Sequence, residues 1–207
     1  MNSIGTLYII AAASGTGKTS LAQALVKSLD RIKISVSHTT RSMRAQEIAD
    51  QSYFFVDDAV FKQMIAEQAF VEYAEVFGYY YGTSRAFIDE QLKQGIDVIL
   101  DIDWQGAQQI KKLYPQSVSI FLLPPSKEEL CRRLHFRKRD DAATIAKRLS
   151  LASSEITHCT EFDYLVINDD FNLALKDLQT IILANRLRKN LQTVKYADLL
   201  QDLLADQ

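Results

Sequence analysis

The sequence contains little cysteine, proline or glycine and almost no net charge. Its 207 residues include two cysteines, three prolines and seven glycines, and the formal net charge is −2. The two cysteines, Cys131 and Cys159, have no metal-binding spacing, which argues against a disulfide framework and against a zinc cluster. The near balance of charge disfavours a broad nucleic-acid-binding face, so we expect no nucleic acid partner.

Long hydrophobic runs are also missing. No apolar stretch approaches the length needed to cross a bilayer, and residues 1–14 carry no basic segment of the kind that begins a secretory signal. The apolar fraction of 47% and the charged fraction of 24% are those of an ordinary globular protein. Together with the scarcity of cysteine, this composition leads us to expect no membrane partner and a cytoplasmic location.

Short apolar runs alternate with helical patterns along the chain. The runs at residues 6–12, 97–103, 117–123 and 163–168 have the continuous apolar character of strands that are buried on both faces. Helical patterns lie between them, and Ser84 is placed to cap one of these helices. The alternation predicts βαβ units and an α/β fold with a mostly parallel sheet.

The last residues of the chain carry leucines at helical spacing. We expect these residues to form a helix that packs on the core, with a helix that binds a partner as the alternative. The leucines concerned are Leu199, Leu200, Leu203 and Leu204.

Two of the few glycines lie together where the first apolar run ends, in the segment SGTGKT at residues 14–19. Glycines let the backbone turn its N–H groups toward an anion, and the dipole of the following helix adds to the attraction. Lys18 can meet the β- and γ-phosphates of a nucleotide, and Thr19 can offer a hydroxyl to Mg²⁺. The pattern is that of a P-loop except at its first position, where Ala12 replaces glycine. It predicts a nucleoside triphosphate with Mg²⁺ as the ligand.

Two aspartates, Asp101 and Asp103, follow the second buried run and could stand on the metal side of that ligand. The segment from Asp103 to Gly106 also has the D-x-x-G form that a switch GTPase would use. The chain contains no N-K-x-D motif to read guanine in the manner of such a GTPase, which disfavours that alternative.

The segment from residue 34 to residue 82 suggests a second substrate with its own phosphate. Arg41 and Arg44 lie three residues apart behind a row of hydroxyl side chains, which suits an oxyanion. Tyrosines in the same segment can add donors. Glu72 is poorly suited to contact a phosphate, and we interpret it as an acceptor for the N–H groups of a base.

Several stretches of this sequence, taken in order, resemble the bacterial-type guanylate kinase family. They are SVSHTTR, AEVFG and YYGTS on either side of Tyr79, LDIDWQGAQQI, IFLLPPS and VINDD, and the resemblance runs nearly end to end. It implies transfer of the γ-phosphoryl group of ATP to GMP or dGMP, with Mg²⁺, in the step that recycles GMP toward GTP. It also implies a three-layer P-loop fold. The core would comprise residues 1–37, 83–125 and 151–207, with a GMP-binding lobe at 38–82 and a lid at 126–150.

The resemblance assigns roles to particular residues. Those implied to bind GMP are Ser37, Arg41, Arg44, Tyr53, Glu72, Tyr81, Thr83 and Asp101. Those implied to bind ATP are Ser14, Gly15, Thr16, Gly17, Lys18, Thr19, Ser20, Arg133 and Asn168. Those implied to act in catalysis are Lys18, Arg41, Arg137 and Arg148. Thr19 and Asp103 are implied to lie at the metal.

The sequence departs from the family's pattern in the lid, where Phe136 and Lys138 stand in place of glycines and Arg137 is kept. Guanylate-kinase-like domains of scaffold proteins are the alternative from another functional class, and they have lost residues of the phosphate loop. Lys18 and Arg44 are both present, which favours the enzyme. The sequence leaves a homo-oligomer open.

Overall fold

The computed structural model describes residues 4–44, 47–49, 52–76, 78–136 and 142–205, without the side chains of 136 and 142–148. Its elements, in chain order, are β1 (Leu7–Ala12), α1 (Lys18–Ser28), β2 (Ile32–Ile34), β3 (His38–Thr39), β4 (Phe54–Phe55), α2 (Asp58–Ala66), β5 (Phe70–Val76), β6 (Tyr79–Ser84), α3 (Arg85–Lys93), β7 (Asp97–Asp101), α4 (Trp104–Leu113), β8 (Val118–Leu123), α5 (Lys127–Phe136), α6 (Ala142–Thr157), a 3₁₀ turn (His158–Glu161), β9 (Tyr164–Ile167), α7 (Phe171–Arg186), α8 (Lys189–Lys195) and α9 (Ala197–Leu204).

Five parallel strands form the central sheet, in the order β2-β7-β1-β8-β9. β1 lies in the middle and is buried on both faces, as its continuous apolar sequence predicts. Tyr8 and Ile10 pack with α1 and α7 on one face, and Leu7 and Ile9 pack with α3 and α4 on the other. The predicted α/β fold with a mostly parallel sheet is therefore confirmed.

A second, smaller sheet has the strand order β4-β3-β6-β5 and mixed strand directions. Its longest pairing is the antiparallel hairpin of β5 and β6, which sets Glu72 opposite Thr83 next to an irregularity in the register. The hairpin ends at Ser84, whose hydroxyl accepts the Phe87 N–H and caps α3 as predicted. The second sheet thus presents a glutamate and a threonine side by side.

Helices α5 and α6 pack against the turn that follows β1. Leu130 and Leu134 of α5 and Ala152 of α6 form an apolar cluster with Ala13, at the end of β1. The 3₁₀ turn after α6 is held to α4, because the His158 ring stacks on the Trp104 indole at 3.5 Å between centroids and 7° between planes. The pair of helices is therefore attached to the end of β1 through the apolar cluster, and to α4 through the ring stack.

The C-terminal helix forms where the leucine spacing predicts it, but the prediction that it packs on the core is wrong. Helix α9 is short and follows the short α8, and its four leucines are 36% to 65% exposed. Amphipathic spacing identifies an apolar face and does not identify the surface that the face meets. Across the described part of the chain, we find no helix that is long and apolar enough to span a membrane.

A buried carboxylate joins the starts of two core strands to the end of α7. Asp97 Oδ1 accepts the Thr6 N–H at 2.7 Å, and its Oδ2 accepts from Arg186 Nε at 2.8 Å. Arg186 also donates to the Asp30 carbonyl oxygen. Removing one member of such a buried pair leaves the others without partners, which costs more than the pair itself contributes.

We predict that Asp97→Ala lowers the free energy of unfolding by about 3 kcal/mol, since it leaves the buried Thr6 N–H without an acceptor and the partly buried Arg186 guanidinium without its carboxylate. Urea unfolding followed by circular dichroism measures the change. Asp58→Ala, at an exposed carboxylate 3.9 Å from Lys62, is the matched control and should cost under about 1 kcal/mol. Equal losses in the two variants would contradict the role given to Asp97.

Candidate active site

The turn between β1 and α1 requires glycine at two positions. Gly15 and Gly17 have φ angles of 91° and 94°, in the left-handed region that other residues rarely adopt. A Cβ atom at Gly15 would lie 2.9 Å from Leu134 Cδ2, and one at Gly17 would lie 2.7 Å from Asn168 Nδ2. Backbone geometry and close packing therefore both account for the paired glycines.

Hydrogen bonds within and below this loop keep its shape. The buried Thr16 hydroxyl donates to the Ala13 carbonyl oxygen at 2.7 Å, and the Thr16 N–H donates to the same oxygen at 3.2 Å. The buried Asn168 side chain, after β9, donates to the Thr16 carbonyl oxygen at 2.7 Å. Ser14 is half-buried in the loop, and Ser20 is exposed in the first turn of α1. The loop is held from beneath, and the helix that follows it starts at Lys18.

Lys18 and Thr19 both contact the end of β7. Lys18 Nζ lies 2.7 Å from Asp101 Oδ1 and donates to the Ile102 carbonyl oxygen at 2.6 Å. The Thr19 hydroxyl donates to Asp101 Oδ2 at 2.9 Å.

Asp103 instead caps α4, because its Oδ1 accepts the Gly106 N–H at 2.8 Å. Thr19 therefore contacts Asp101, which the resemblance assigned to GMP binding. Asp103, which the resemblance assigned to the metal, caps a helix instead.

The oxygens of Thr19 and Asp101 fit a magnesium ion. Mg²⁺ prefers hard oxygen ligands and is usually held by one or two carboxylates, with phosphates and waters completing its octahedron. Within the part of the chain that the structure describes, no three His, Cys, Asp or Glu side chains form a metal cluster. Any Mg²⁺ at this place would therefore depend on the phosphates for much of its coordination.

A buried carboxylate lies next to this edge, on the second sheet. Glu72 is 6% exposed, and the Thr83 hydroxyl donates to its Oε1; the hydroxyls of Ser37 and Thr83 are 3.4 Å apart. Burial raises the pKa of Glu72 to about 7, the hydrogen bond from Thr83 acts against that rise, Asp103 adds to it, and Lys18 lowers it. Burying a carboxylate is costly, and such a group favours a ligand with matching N–H donors.

A second polar group of the smaller sheet centres on Arg41. Its guanidinium is largely buried and pairs with both carboxylate oxygens of Glu47, at 2.6 and 3.1 Å, and it donates to the Ser42 carbonyl oxygen at 2.7 Å. It lies 5.5 Å from the ring centre of Tyr53 and 5.9 Å from that of Phe55. The hydrogen bond from Arg41 lowers the pKa of Glu47.

Glu47 is a residue that the sequence reasoning missed. It accepts the Arg44 N–H at 2.8 Å as well as the Arg41 guanidinium, so it orders the segment that holds both arginines. The signal available in the sequence was a glutamate three residues after the second arginine. The Arg44 side chain is exposed, while the rings of Tyr53 and Tyr81 meet edge to face at 5.9 Å beside Arg41.

Three arginines of α5, α6 and the segment between them are expected to contact ATP or the transferred phosphoryl group, and the structure describes the side chain of one of them. Arg133 donates to Glu129 at 2.6 Å and to the Asn168 carbonyl oxygen at 2.8 Å, so its guanidinium ties α5 to the residue beneath the loop. Arg137 lies outside the described residues. Arg148 lies in α6 at a position whose side chain is not among the described parts.

Helix α6 contributes one further carboxylate that the sequence reasoning missed. Glu155 Oε2 accepts the Ser14 N–H at 3.2 Å, although 141 residues separate the two in sequence. No sequence motif marks this contact. Its position follows only from the packing of α6 against the loop.

Comparison with known proteins gives one consistent result. A family model described as guanylate kinase matches residues 4–185. Guanylate kinases of Sodalis glossinidius and of Escherichia coli strain K12 are 56% and 55% identical over 204 residues, which cover 98% of this chain and 99% of each relative. A crystal structure of guanylate kinase from Anaplasma phagocytophilum matches with a TM-score of 0.79 and 31% identity, covering 97% of this chain and 95% of that one.

The raised pKa of Glu72 has a consequence for stability. Between the ordinary value of 4.5 and about 7, the folded state binds a proton that the unfolded state has lost, so Glu72 destabilises the fold increasingly as the pH rises through this window. We predict that Glu72→Gln stabilises the protein at pH 8 by at most about 3 kcal/mol and leaves it unchanged at pH 4.5. Urea unfolding at both pH values tests this, and a stabilisation that does not depend on pH would contradict it.

Proposed function

The chain belongs to the guanylate kinase family and phosphorylates GMP with ATP, and we propose that the side chains gathered at the ends of β1 and β7 and on the second sheet carry this reaction. The observation that supports the assignment best is the buried Glu72 carboxylate, which lies beside a phosphate-binding loop and within electrostatic range of Lys18. A buried acceptor of this kind suits a base with N–H donors.

Residues 14–20, which form the loop and the first turn of α1, would bind the phosphates of ATP with their N–H groups, and Lys18 would meet the β- and γ-phosphates. Thr19 and Asp101 would hold Mg²⁺, which when bound would neutralise charge on the phosphoryl group that is transferred. We propose Asp101 for the metal rather than Asp103, because Asp101 is the carboxylate that contacts Thr19. Asn168 would support the loop from below, next to the expected adenine position.

GMP would bind across the second sheet. Glu72 would accept hydrogen bonds from the guanine N1–H and 2-amino groups, and the hydroxyls of Ser37 and Thr83 can donate to O6. The phosphate would lie with the Arg41 group, for which Arg44, Tyr53 and Tyr81 are the other proposed donors. Glu47 already contacts Arg41 through two hydrogen bonds, which fixes the plane of the guanidinium that is offered to the phosphate.

Transfer would proceed in line, directly from ATP to GMP, with positioning and charge neutralisation supplying the rate. Lys18 would meet the developing charge from the loop, while Arg137 and Arg148 would meet it from the lid. We propose that the lobe and the lid close over the core when the substrates bind, which would exclude water that could otherwise hydrolyse ATP. The proposed lobe is residues 38–82, the proposed lid is 126–150, and the core is 1–37, 83–125 and 151–207.

Two further expectations concern the protein in the cell. A cytoplasmic location stays a prediction from composition. A homo-oligomer is supported by the exposed leucines of α9, since an apolar helix face of this kind is typical of surfaces that associate. Light scattering after size-exclusion chromatography measures the oligomeric state.

We predict that Lys18→Ala lowers kcat for GDP formation by at least about 10²-fold, because a preorganised charge at the transferred group is lost. A coupled assay of ADP formation at saturating ATP measures the effect. Lys27→Ala, at an exposed lysine in the last turn of the same helix, is the control and should keep wild-type activity. Wild-type turnover in a folded Lys18→Ala variant would overturn the assignment of the loop.

We predict that the protein prefers GMP over AMP by as much as ~10⁴-fold in kcat/KM, because AMP presents an acceptor at N1 and lacks the 2-amino group. Glu72→Gln should lower kcat/KM for GMP by about 10²-fold and change that for AMP little, since the neutral amide turns a donor toward the donors of guanine. The same coupled assay with each nucleotide gives both values.

The control for this experiment is Glu75→Gln, which makes the same substitution at an exposed position of the same strand. It should leave both values of kcat/KM unchanged. An unchanged ratio of GMP to AMP in Glu72→Gln would mean that Glu72 does not recognise the base.

A further inference from the structure

The Glu155 carboxylate faces the phosphate-binding loop from α6. It is half-buried, and its Oε2 atom accepts the Ser14 N–H at 3.2 Å. Ser14 belongs to the loop whose N–H groups are proposed to hold the phosphates of ATP. An anion of the protein itself therefore contacts a donor of an anion-binding loop.

The charge of Glu155 acts beyond this single hydrogen bond. Burial raises the pKa of the Glu155 carboxyl, the Ser14 N–H and Lys18 lower it, and Asp103 raises it. Glu155 is thus within electrostatic range of the lysine that is proposed to meet the β- and γ-phosphates. A polyphosphate that enters the loop brings several negative charges close to this carboxylate, and like charges repel strongly at a partly buried place.

Contacts other than Glu155 also hold α6 in position. Leu149, Ala152 and Ile156 of this helix belong to the apolar cluster beneath the loop, and the 3₁₀ turn after the helix is held by the stack of His158 on Trp104. The hydrogen bond from the Ser14 N–H to Glu155 is one contact beside these, and Glu155→Gln keeps an acceptor oxygen for it. The charge can therefore be removed while the helix stays in place.

We propose that the Glu155 carboxylate competes with the phosphates of the nucleotide for the phosphate-binding loop, and that it thereby keeps the affinity for ATP and ADP below what the loop alone would give. The proposal rests on the proposed function, because it takes the loop as the ATP site. Glu155 is a positioning residue in this scheme: it holds Ser14 through the N–H and is displaced when phosphates bind. Its displacement frees the Ser14 N–H for a phosphate oxygen, and its return favours the departure of ADP.

The test compares wild type with Glu155→Gln, which keeps the size of the side chain and an acceptor oxygen and removes the charge. Isothermal titration calorimetry would measure Kd for ATP, ADP, inorganic tripolyphosphate and GMP. We expect the first three to bind about fivefold to tenfold more tightly to the variant, as loss of one repulsive charge at short range predicts, and GMP to bind unchanged. In steady-state kinetics the KM for ATP should fall while the KM for GMP stays constant.

Glu161→Gln is the matched control. It removes the same charge six residues further along the chain, from a carboxylate that accepts from Gln108 and His158. It should leave all four affinities at their wild-type values. Glu155→Ala is the second variant, should the glutamine disturb packing; it also removes the charge and should likewise tighten the binding of ATP. Thermal unfolding without nucleotide checks that each variant is folded.

The proposal is overturned if both Glu155 variants are folded and bind ATP, ADP and tripolyphosphate as wild type does, or more weakly. Titration of Lys18→Ala with ATP separates this failure from a failure of the proposed function. If Lys18→Ala weakens ATP binding and the Glu155 variants do not strengthen it, only the competition falls. If Lys18→Ala leaves ATP binding unchanged, the loop is not the ATP site and both proposals fall.

Discussion

The lateral pairing of β1 with β7 determines where the charged groups of the site stand. The register sets Ile10 beside Asp101, so the last residue of β7 lies next to the strand that runs into the loop. In this alignment Asp101 lies within hydrogen-bonding distance of Lys18 and Thr19. A shift of one residue would turn the Asp101 side chain to the other face of the sheet. Since both strands are buried on both faces, apolar packing distant from any substrate fixes the geometry of the charges.

Local patterns in the sequence predicted the elements and the loop, because their causes are local. Continuous apolar runs predicted β1, β7, β8 and β9, although β9 is largely exposed and not buried on both faces as expected. The paired glycines predicted the loop after the first strand, and Ser84 predicted a helix start. The residue pattern alone could not tell Asp101 from Asp103, since two aspartates at the end of one strand differ only in what the fold brings to them. The resemblance implied Asp103 for the metal, whereas the fold brings Asp101 to Thr19. Glu155 was missed because its partner is 141 residues away. The exposure of the α9 leucines was missed because leucine spacing carries no information about what the apolar face meets.

Two buried carboxylates of this protein, Asp97 and Glu72, differ in how many hydrogen-bond donors the fold provides to them. Asp97 finds two donors within the fold, and its charge joins strands to a helix. Glu72 is buried with a single hydroxyl donor, and its carboxyl group keeps its proton to a higher pH than usual. A group that the fold leaves poorly satisfied is available to a ligand that satisfies it. Under the proposed function, the number of donors that the fold provides to each acidic residue separates the one that serves stability from the one that would serve recognition.

Trp104 is the single tryptophan of the chain, and its indole stacks on the ring of His158. The emission of an indole depends on what contacts its ring, and in this chain no other tryptophan contributes to the signal. Any rearrangement that separates the end of α6 from α4 would change the fluorescence of the unlabelled protein. The stack that holds the helix in place thus also gives the molecule an intrinsic optical reporter, through which motion of α6 can be followed in stopped-flow experiments without attaching a dye.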